Sequence, residues 1–242
     1  MTSREHYRAI QKLEAANYGW RAHIIYRHLA RNLKSPGELA LLALRAEKQG
    51  NHNLSLQVGK LAYTRGLTAD TLAFPLGAIP KSAKISSVGK ALAYAIARQE
   101  SAFNPRAVSG AGARGLLQLL PGTAKGVARR SGLPYSKAGL TKNPGLNASL
   151  GAAYLAEQRA KFNGSYVLTF IAYNAGPRRA TDWVAKYGNP RGRSVEEIVD
   201  WIERIPFTET RNYVMRIMEN YQVYKTRIAG GKLTIERDLR AG

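Results

Sequence analysis

Between Ala91 and Pro121 the chain reads ALAYAIARQESAFNPRAVSGAGARGLLQLLP, a stretch that leaves little freedom for what surrounds it. Leu92, Ala93, Ile96 and Ala97 recur at helical spacing, so they and Glu100 share one face of a helix. Asn104-Pro105 stops that helix, because a residue before proline is driven out of the α region. A carboxyl group therefore falls in the last helical turn, on the face that packs inward. Desolvation disfavours its anion there, and so do the unpaired carbonyls of the helix end. Both effects raise its pKa towards the range in which a carboxylic acid donates a proton at neutral pH. The glycine-rich turn Ser109-Gly110-Ala111-Gly112-Ala113-Arg114-Gly115 follows, and such a turn lets backbone approach a ligand closely.

Composition narrows the chemistry available to that site. The chain has no cysteine, which removes disulfides and thiolate metal sites. Its four histidines, His6, His23, His28 and His52, all lie in the first quarter. Imidazole-based nucleophilic catalysis and the usual zinc sites are thus not expected near Glu100, and no cofactor is expected. From Lys81 onward there are eleven Asp and Glu from which an acid must come. The net charge of +21 is shared as +6 up to Pro80 and +15 beyond it. An anionic polymer is the implied partner: nucleic acid, an acidic membrane surface, or a cell-wall glycan carrying carboxylates, beside the plain alternative of a solvated surface. No apolar run reaches the ~20 residues that span a bilayer, and Met1 to His6 run straight into a polar helix pattern rather than a leader.

The rest of the chain reads as helices separated by Gly and Pro. Tyr7, Ile10, Leu13 and Ala16 mark one amphipathic face, and Ile24, Ile25, His28 and Leu29 another. Ser35-Pro36-Gly37-Glu38 has the form of a helix start, and the helices that follow close at Gly50 and Gly66. Together these pairs resemble a fragment of an α-solenoid. Phe74-Pro75 and Ile79-Pro80 break the pattern, which places a boundary there: residues 1–80 form a helical hairpin or superhelix fragment, and 81–242 a second domain. In that domain the pattern predicts six or seven helices. Pro121 to Ser131 is one, and another is capped by Asn147 and ended by Asn163-Gly164. SYVLTFIAYNA (165–175) suits a strand or a buried helix, with helical neighbours favouring the second. Ser194-Val195-Glu196-Glu197 forms a capping-box pattern, Thr208 to Arg227 a last long helix ended by Gly230-Gly231, and the remainder a charged tail.

Four signatures stand in order along the second domain: Ala97-Arg98-Gln99-Glu100-Ser101-Ala102-Phe103-Asn104-Pro105, Gly115-Leu116-Leu117-Gln118-Leu119-Leu120-Pro121, Ala172-Tyr173-Asn174-Ala175-Gly176, and Ile205-Pro206-Phe207-Thr208-Glu209-Thr210-Arg211-Asn212-Tyr213-Val214. With these spacings, residues 88 to 228 resemble the catalytic domain of the soluble lytic transglycosylases, bacterial murein-cleaving enzymes with a goose-type-lysozyme-like fold. The resemblance implies an all-α chain, a lysozyme-like catalytic domain preceded by a short α-superhelical segment. It also implies that Glu100 is the catalytic acid and that Ser109, Gln118, Tyr173 and Glu209, with Asn174, line the glycan cleft. Leu117 and Leu120 stand where methionine is common in the family. That exchange keeps volume and polarity and touches groove detail rather than activity.

Glycosidic cleavage needs an acid on the leaving oxygen and stabilisation of positive charge at the anomeric carbon. No second acid lies between Glu100 and Glu157. The resemblance implies a substitute: the muramic acid's acetamido group assists, and Glu100 then acts as base on the C6 hydroxyl, giving a 1,6-anhydro sugar. The partner is then the glycan strand of peptidoglycan, met in the periplasm by a monomer, with no nucleic acid and no membrane span. A non-catalytic peptidoglycan-binding module is the alternative. Several residues keep a second reading open. Tyr173 and Asn174 suit a core tyrosine and a capping asparagine, and Ser109 suits a plain turn residue. Glu209 suits an ion pair with Arg211, or a first-turn position favoured by the helix dipole.

Overall fold

The computed structural model describes residues 3–67, 70–230 and 232–242. It is all-helical; among the described residues there is no strand, only two isolated antiparallel bridges. The chain divides into two compact units, Met1–Ala78 with Ala102–Asn104, and Ile79–Ser101 with Pro105–Gly242. No helix among the described residues is long and apolar enough to cross a membrane.

The first unit holds α1 (Ser3–Ala15), α2 (Gly19–Asn32), α3 (Pro36–Lys48), α4 (His52–Thr64) and a 3₁₀ turn at Asp70–Ala73. Ser35 caps α3 by accepting the Glu38 N–H, with Pro36 in the first helical turn, as its sequence predicts. Asn51 caps α4 in the same way from the Leu54 N–H. Ile10, Tyr26, Leu29, Leu39, Leu42 and Val58 form the shared core. The inward face of α2 differs from the expected one: Ala22, Tyr26, Leu29 and Ala30 are buried, while Ile24 is 64% exposed and His28 is exposed. The large Tyr26 ring decides the rotation, because its hydroxyl donates to Glu14 (2.8 Å), which also accepts from Arg45 Nε (2.9 Å).

The second unit holds α5 (Lys90–Ser101), α6 (Pro121–Ser131), α7 (Gly139–Lys142), α8 (Pro144–Lys161), α9 (Tyr166–Ala175), α10 (Pro177–Tyr187), α11 (Val195–Glu203), α12 (Thr208–Ala229) and α13 (Ile235–Leu239). That is more than the six or seven expected, because the short α7 and α13 carry too little periodicity to be seen. The 165–175 stretch is the helix α9, capped by Ser165 and buried along most of its length. A helix enclosed on every side is apolar all round, which is why its pattern is ambiguous. Ser194 and Glu197 form the reciprocal capping box of α11 (3.2 and 3.0 Å).

Two elements differ from their sequence reading in ways that matter. α8 starts at Pro144 under Asn143, whose side chain accepts the Leu146 N–H (2.9 Å); Asn147 lies inside the helix and is 0% exposed. The charged tail is also structured. α13 brings Asp238 into a buried position, where it accepts from Gln222 Nε2 (2.7 Å) and Thr234 Oγ1 (3.0 Å) and pairs with Lys225. Burial works against the Asp238 anion, but these bonds offset it and its pKa is lowered. The Gly231 half of the expected helix stop lies outside the described residues; Gly230 caps α12.

Candidate active site

α5 is buried from Leu92 to Ala97 and lies along α12. Arg98 Nη1 donates to Asn220 Oδ1 (2.7 Å), and the Tyr94 and Tyr224 rings stand 5.4 Å apart. This pairing carries Glu100, near the end of α5, towards the first turns of α12. The helix stops two residues earlier than Asn104-Pro105 requires, since Ala102 and Phe103 adopt φ of 49° and 62°. Left-handed backbone at two consecutive non-glycine residues is costly, and such strain concentrates at functional sites.

Beyond the turn, residues 107 to 119 fold into a tight loop pinned by Arg114, which bridges to both Val108 and Leu119. Asn147 holds it from below: its Oδ1 accepts the Leu117 N–H (2.8 Å) and its Nδ2 donates to the Arg114 carbonyl (2.8 Å). A buried amide bonded to two backbone groups of one loop is a strong positional constraint. Gly115 is required by this contact. Its φ is +79°, and a Cβ there would fall 2.0 Å from the Leu140 carbonyl oxygen and 2.4 Å from Asn147 Nδ2. Leu117 packs over Gly151, where a Cβ would meet its side chain at 2.4 Å. Of the two leucines at methionine positions, Leu117 is therefore core and only Leu120 borders the cleft.

The result is an open cleft of about 560 Å³. All six residues named from sequence line it: Glu100, Ser109, Gln118, Tyr173, Asn174 and Glu209. Ser109 Oγ accepts the Ala113 N–H (3.1 Å), so it shapes its turn as well as facing the cleft. Gln118, at φ 45°, spends its amide N–H groups on the Ala107 and Gly115 carbonyls (3.2 and 2.8 Å), which leaves its oxygen as the available acceptor. Tyr173 donates its hydroxyl proton to the Leu117 carbonyl (2.8 Å) and retains acceptor capacity only. Asn174 Oδ1 accepts from Thr210 (2.7 Å) and so ties the end of α9 to the start of α12. Glu209 stands in the first turn of α12; Arg211 reaches the Glu203 carbonyl instead (3.0 Å) and pairs with the Glu203 carboxylate.

Glu100 keeps an edge on the cleft while its carboxyl group is embedded, and burial pushes its pKa up to about 7. The Tyr213 hydroxyl, donating to Oε1 at 2.6 Å, works in the opposite direction, and the Glu209 charge adds to the rise. A group poised near neutrality can hold a proton for delivery and later take one back. Sequence reasoning missed four polar lining residues: Gln99, Asn212, Tyr213 and Arg216. Helical spacing held the signal for three of them, since Glu209, Asn212, Tyr213 and Arg216 follow the i, i+3, i+4, i+7 pattern of one face.

A hollow of about 630 Å³ in the first unit, bordered by Tyr7, Leu41 and Leu44, is larger. Its lining carboxylate, Glu38, is exposed.

Residues 77–195 match the family model described as the Transglycosylase SLT domain. That stretch of the chain is a transglycosylase SLT domain. It is 39% identical over 149 residues to the soluble lytic murein transglycosylase of Escherichia coli K12, covering 61% of this chain and 22% of that protein. Against the enzyme of the same name from Salmonella typhimurium it is 35% identical over 211 residues, 85% of this chain and 31% of the relative. Among solved structures, the 70 kDa soluble lytic transglycosylase of Escherichia coli superposes over 98% of this chain and 38% of that one, with TM-score 0.78 and 30% identity. The match thus spans between about a fifth and a third of the length of these two relatives. The SLT match contains Glu100, Ser109, Gln118, Tyr173 and Asn174, while α12 with Glu209 and Tyr213 lies beyond it.

Proposed function

We propose that this chain cleaves the β-1,4 bond between N-acetylmuramic acid and N-acetylglucosamine in peptidoglycan and releases 1,6-anhydro-muramic ends. The observation that carries this reading is the embedded carboxylic acid Glu100, with its pKa pushed up to about 7, opening on a cleft of about 560 Å³. Glu100 donates its proton to the departing glycosidic oxygen as the bond to the anomeric carbon breaks. The muramic acid's own acetamido oxygen shares the positive charge that develops. The Glu100 carboxylate then takes the proton from the C6 hydroxyl, and that oxygen closes on the anomeric carbon. Glu100 ends with a proton, ready for another cycle, and no water is consumed.

The neighbouring residues fit roles of binding and orientation. Gln118 and Tyr173 offer acceptors to sugar hydroxyls and amide N–H groups, while Ser109 and Asn174 border the strand. Glu209 accepts from the sugar and favours the protonated form of Glu100 through its charge. The relatives' names, soluble lytic murein transglycosylase, support the substrate class, and that substrate class favours a periplasmic reaction.

A two-carboxylate hydrolysis is the competing reading, favoured by the presence of Glu209 in the same cleft. Mass spectrometry of digested sacculi separates the two, because an anhydro end is lighter by one water than a hydrolysed end. Anhydro products are expected; reducing ends alone would establish hydrolysis. The pH profile supplies a further check. The acid must be protonated at the start, so kcat/KM is expected to fall as pH rises through about 7. Tyr213→Phe removes the bond that favours the Glu100 anion, so that falling limb moves to higher pH. A limb that stayed in place, or moved lower, would separate Tyr213 from the titration.

A further inference from the structure

Arg216 is the one cation among the described residues that line the cleft. Its side chain is exposed, and among the described residues it forms no hydrogen bond or ion pair. In a chain whose Arg130 pairs with Glu157 and whose Arg211 pairs with Glu203, that free guanidinium is available to a ligand. It lies one turn beyond Tyr213, about 4.5 Å further along α12, and about 10 Å from Glu209. Since Tyr213 touches the acid itself, a group held by Arg216 sits beside the bond being cleaved and is not part of it.

Charge decides what that group is. Glu209 makes this end of the cleft negative, so a substrate carboxylate entering without compensation would be repelled. Guanidinium binds carboxylate through two parallel hydrogen bonds, a geometry that other side chains do not offer. We propose that Arg216 recognises a carboxylate on the muramic acid side of the strand, and so makes this cleft selective for strands that carry one. The chemistry has two sources, the lactyl carboxylate of peptide-free strands and the carboxylates of stem peptides. The proposal rests on the reading of the cleft as a glycan site.

The test compares wild type, Arg216→Gln and Arg216→Lys on three forms of glycan strand. One is stripped of peptides, leaving lactyl carboxylates free; one keeps native stems; one has every stem carboxylate amidated. Arg216→Gln is expected to lower kcat/KM on a carboxylate-bearing strand about five- to tenfold, mainly through KM, as for an exposed charge contact that is made equally before and during reaction. Its loss on amidated strands is several times smaller. Arg216→Lys restores part of the selectivity, and added salt narrows the gap between wild type and Arg216→Gln. A loss confined to stripped strands identifies the lactyl group, and one confined to native stems identifies the peptide; either supports the proposal. Equal losses on all three strands, or none, overturn it. Wild type that releases nothing from any strand overturns the cleavage reading itself, and this inference with it.

Discussion

Glu100→Gln is expected to lower kcat by roughly a thousandfold or more in a sacculus digest, while leaving the fold intact. The isosteric amide keeps the volume of the side chain and can still meet the Tyr213 hydroxyl, so packing is preserved. What disappears is the embedded carboxyl of the cleft, the group proposed to give and then recover a proton. The same substitution has a thermodynamic signature of opposite sign. Burial first, with the Glu209 charge adding to it, raises the Glu100 pKa in the folded chain to about 7 from an ordinary value of 4.5. Between those two values the folded state binds the extra proton, so the contribution of Glu100 to stability is complete below about pH 4.5. It is lost as pH rises through about 7. Above that pH the wild type carries a buried anion worth roughly 2–3 kcal/mol of destabilisation, which Glu100→Gln lacks. Thermal unfolding at pH 8 and pH 5 checks this: the variant is the more stable protein at pH 8, and the difference shrinks at pH 5. Full activity in the variant would remove Glu100 from the mechanism.

Asn147→Ala is expected to be the most damaging single truncation away from the cleft surface. It leaves the buried Leu117 N–H without its partner, removes one of the two hydrogen bonds that the Arg114 carbonyl accepts, and opens a hole beneath the loop. One unsatisfied buried N–H costs about 1–3 kcal/mol and the hole adds to it, so a loss of about 2–4 kcal/mol is expected, or roughly 4–15 °C in Tm for a chain of this size. Activity falls as well. The Leu117 carbonyl that accepts from Tyr173 and the Gly115 carbonyl that orients Gln118 both belong to the loop Asn147 holds. Calorimetry alongside the digest assay checks both effects. A Tm within 2 °C of wild type, by the scale just cited, would show that Asn147 is not the support described here.

Asn147 also marks where the sequence stops being legible. Asn before an apolar helical run is a good N-cap, and local rules place it there. The structure uses Asn143 for that purpose and turns Asn147 inward, because a loop thirty residues earlier in the chain needs its amide. No local pattern contains that partner. The same holds for the last eleven residues. They look like a solvated tail until Asp238 is set against Lys225, Gln222 and Thr234. Ile24 shows the converse, an apolar residue at helical spacing that tertiary packing leaves outside because Tyr26 takes the inward position.

The sequence by itself determined the helical class, the stop after α5, the caps of α3 and α11, and the place of Glu100 in the last turn of α5, because each depends on contacts within a few residues. It also named six residues that share the cleft, but by resemblance, not by geometry. Only the tertiary structure decided how α5 meets α12, and therefore that Tyr213 touches Glu100 and that Glu209 and Arg216 border the same cavity. The physical reason is range. A helix face follows from spacing along the chain, whereas the pKa of a carboxyl group depends on which distant side chains exclude water from it.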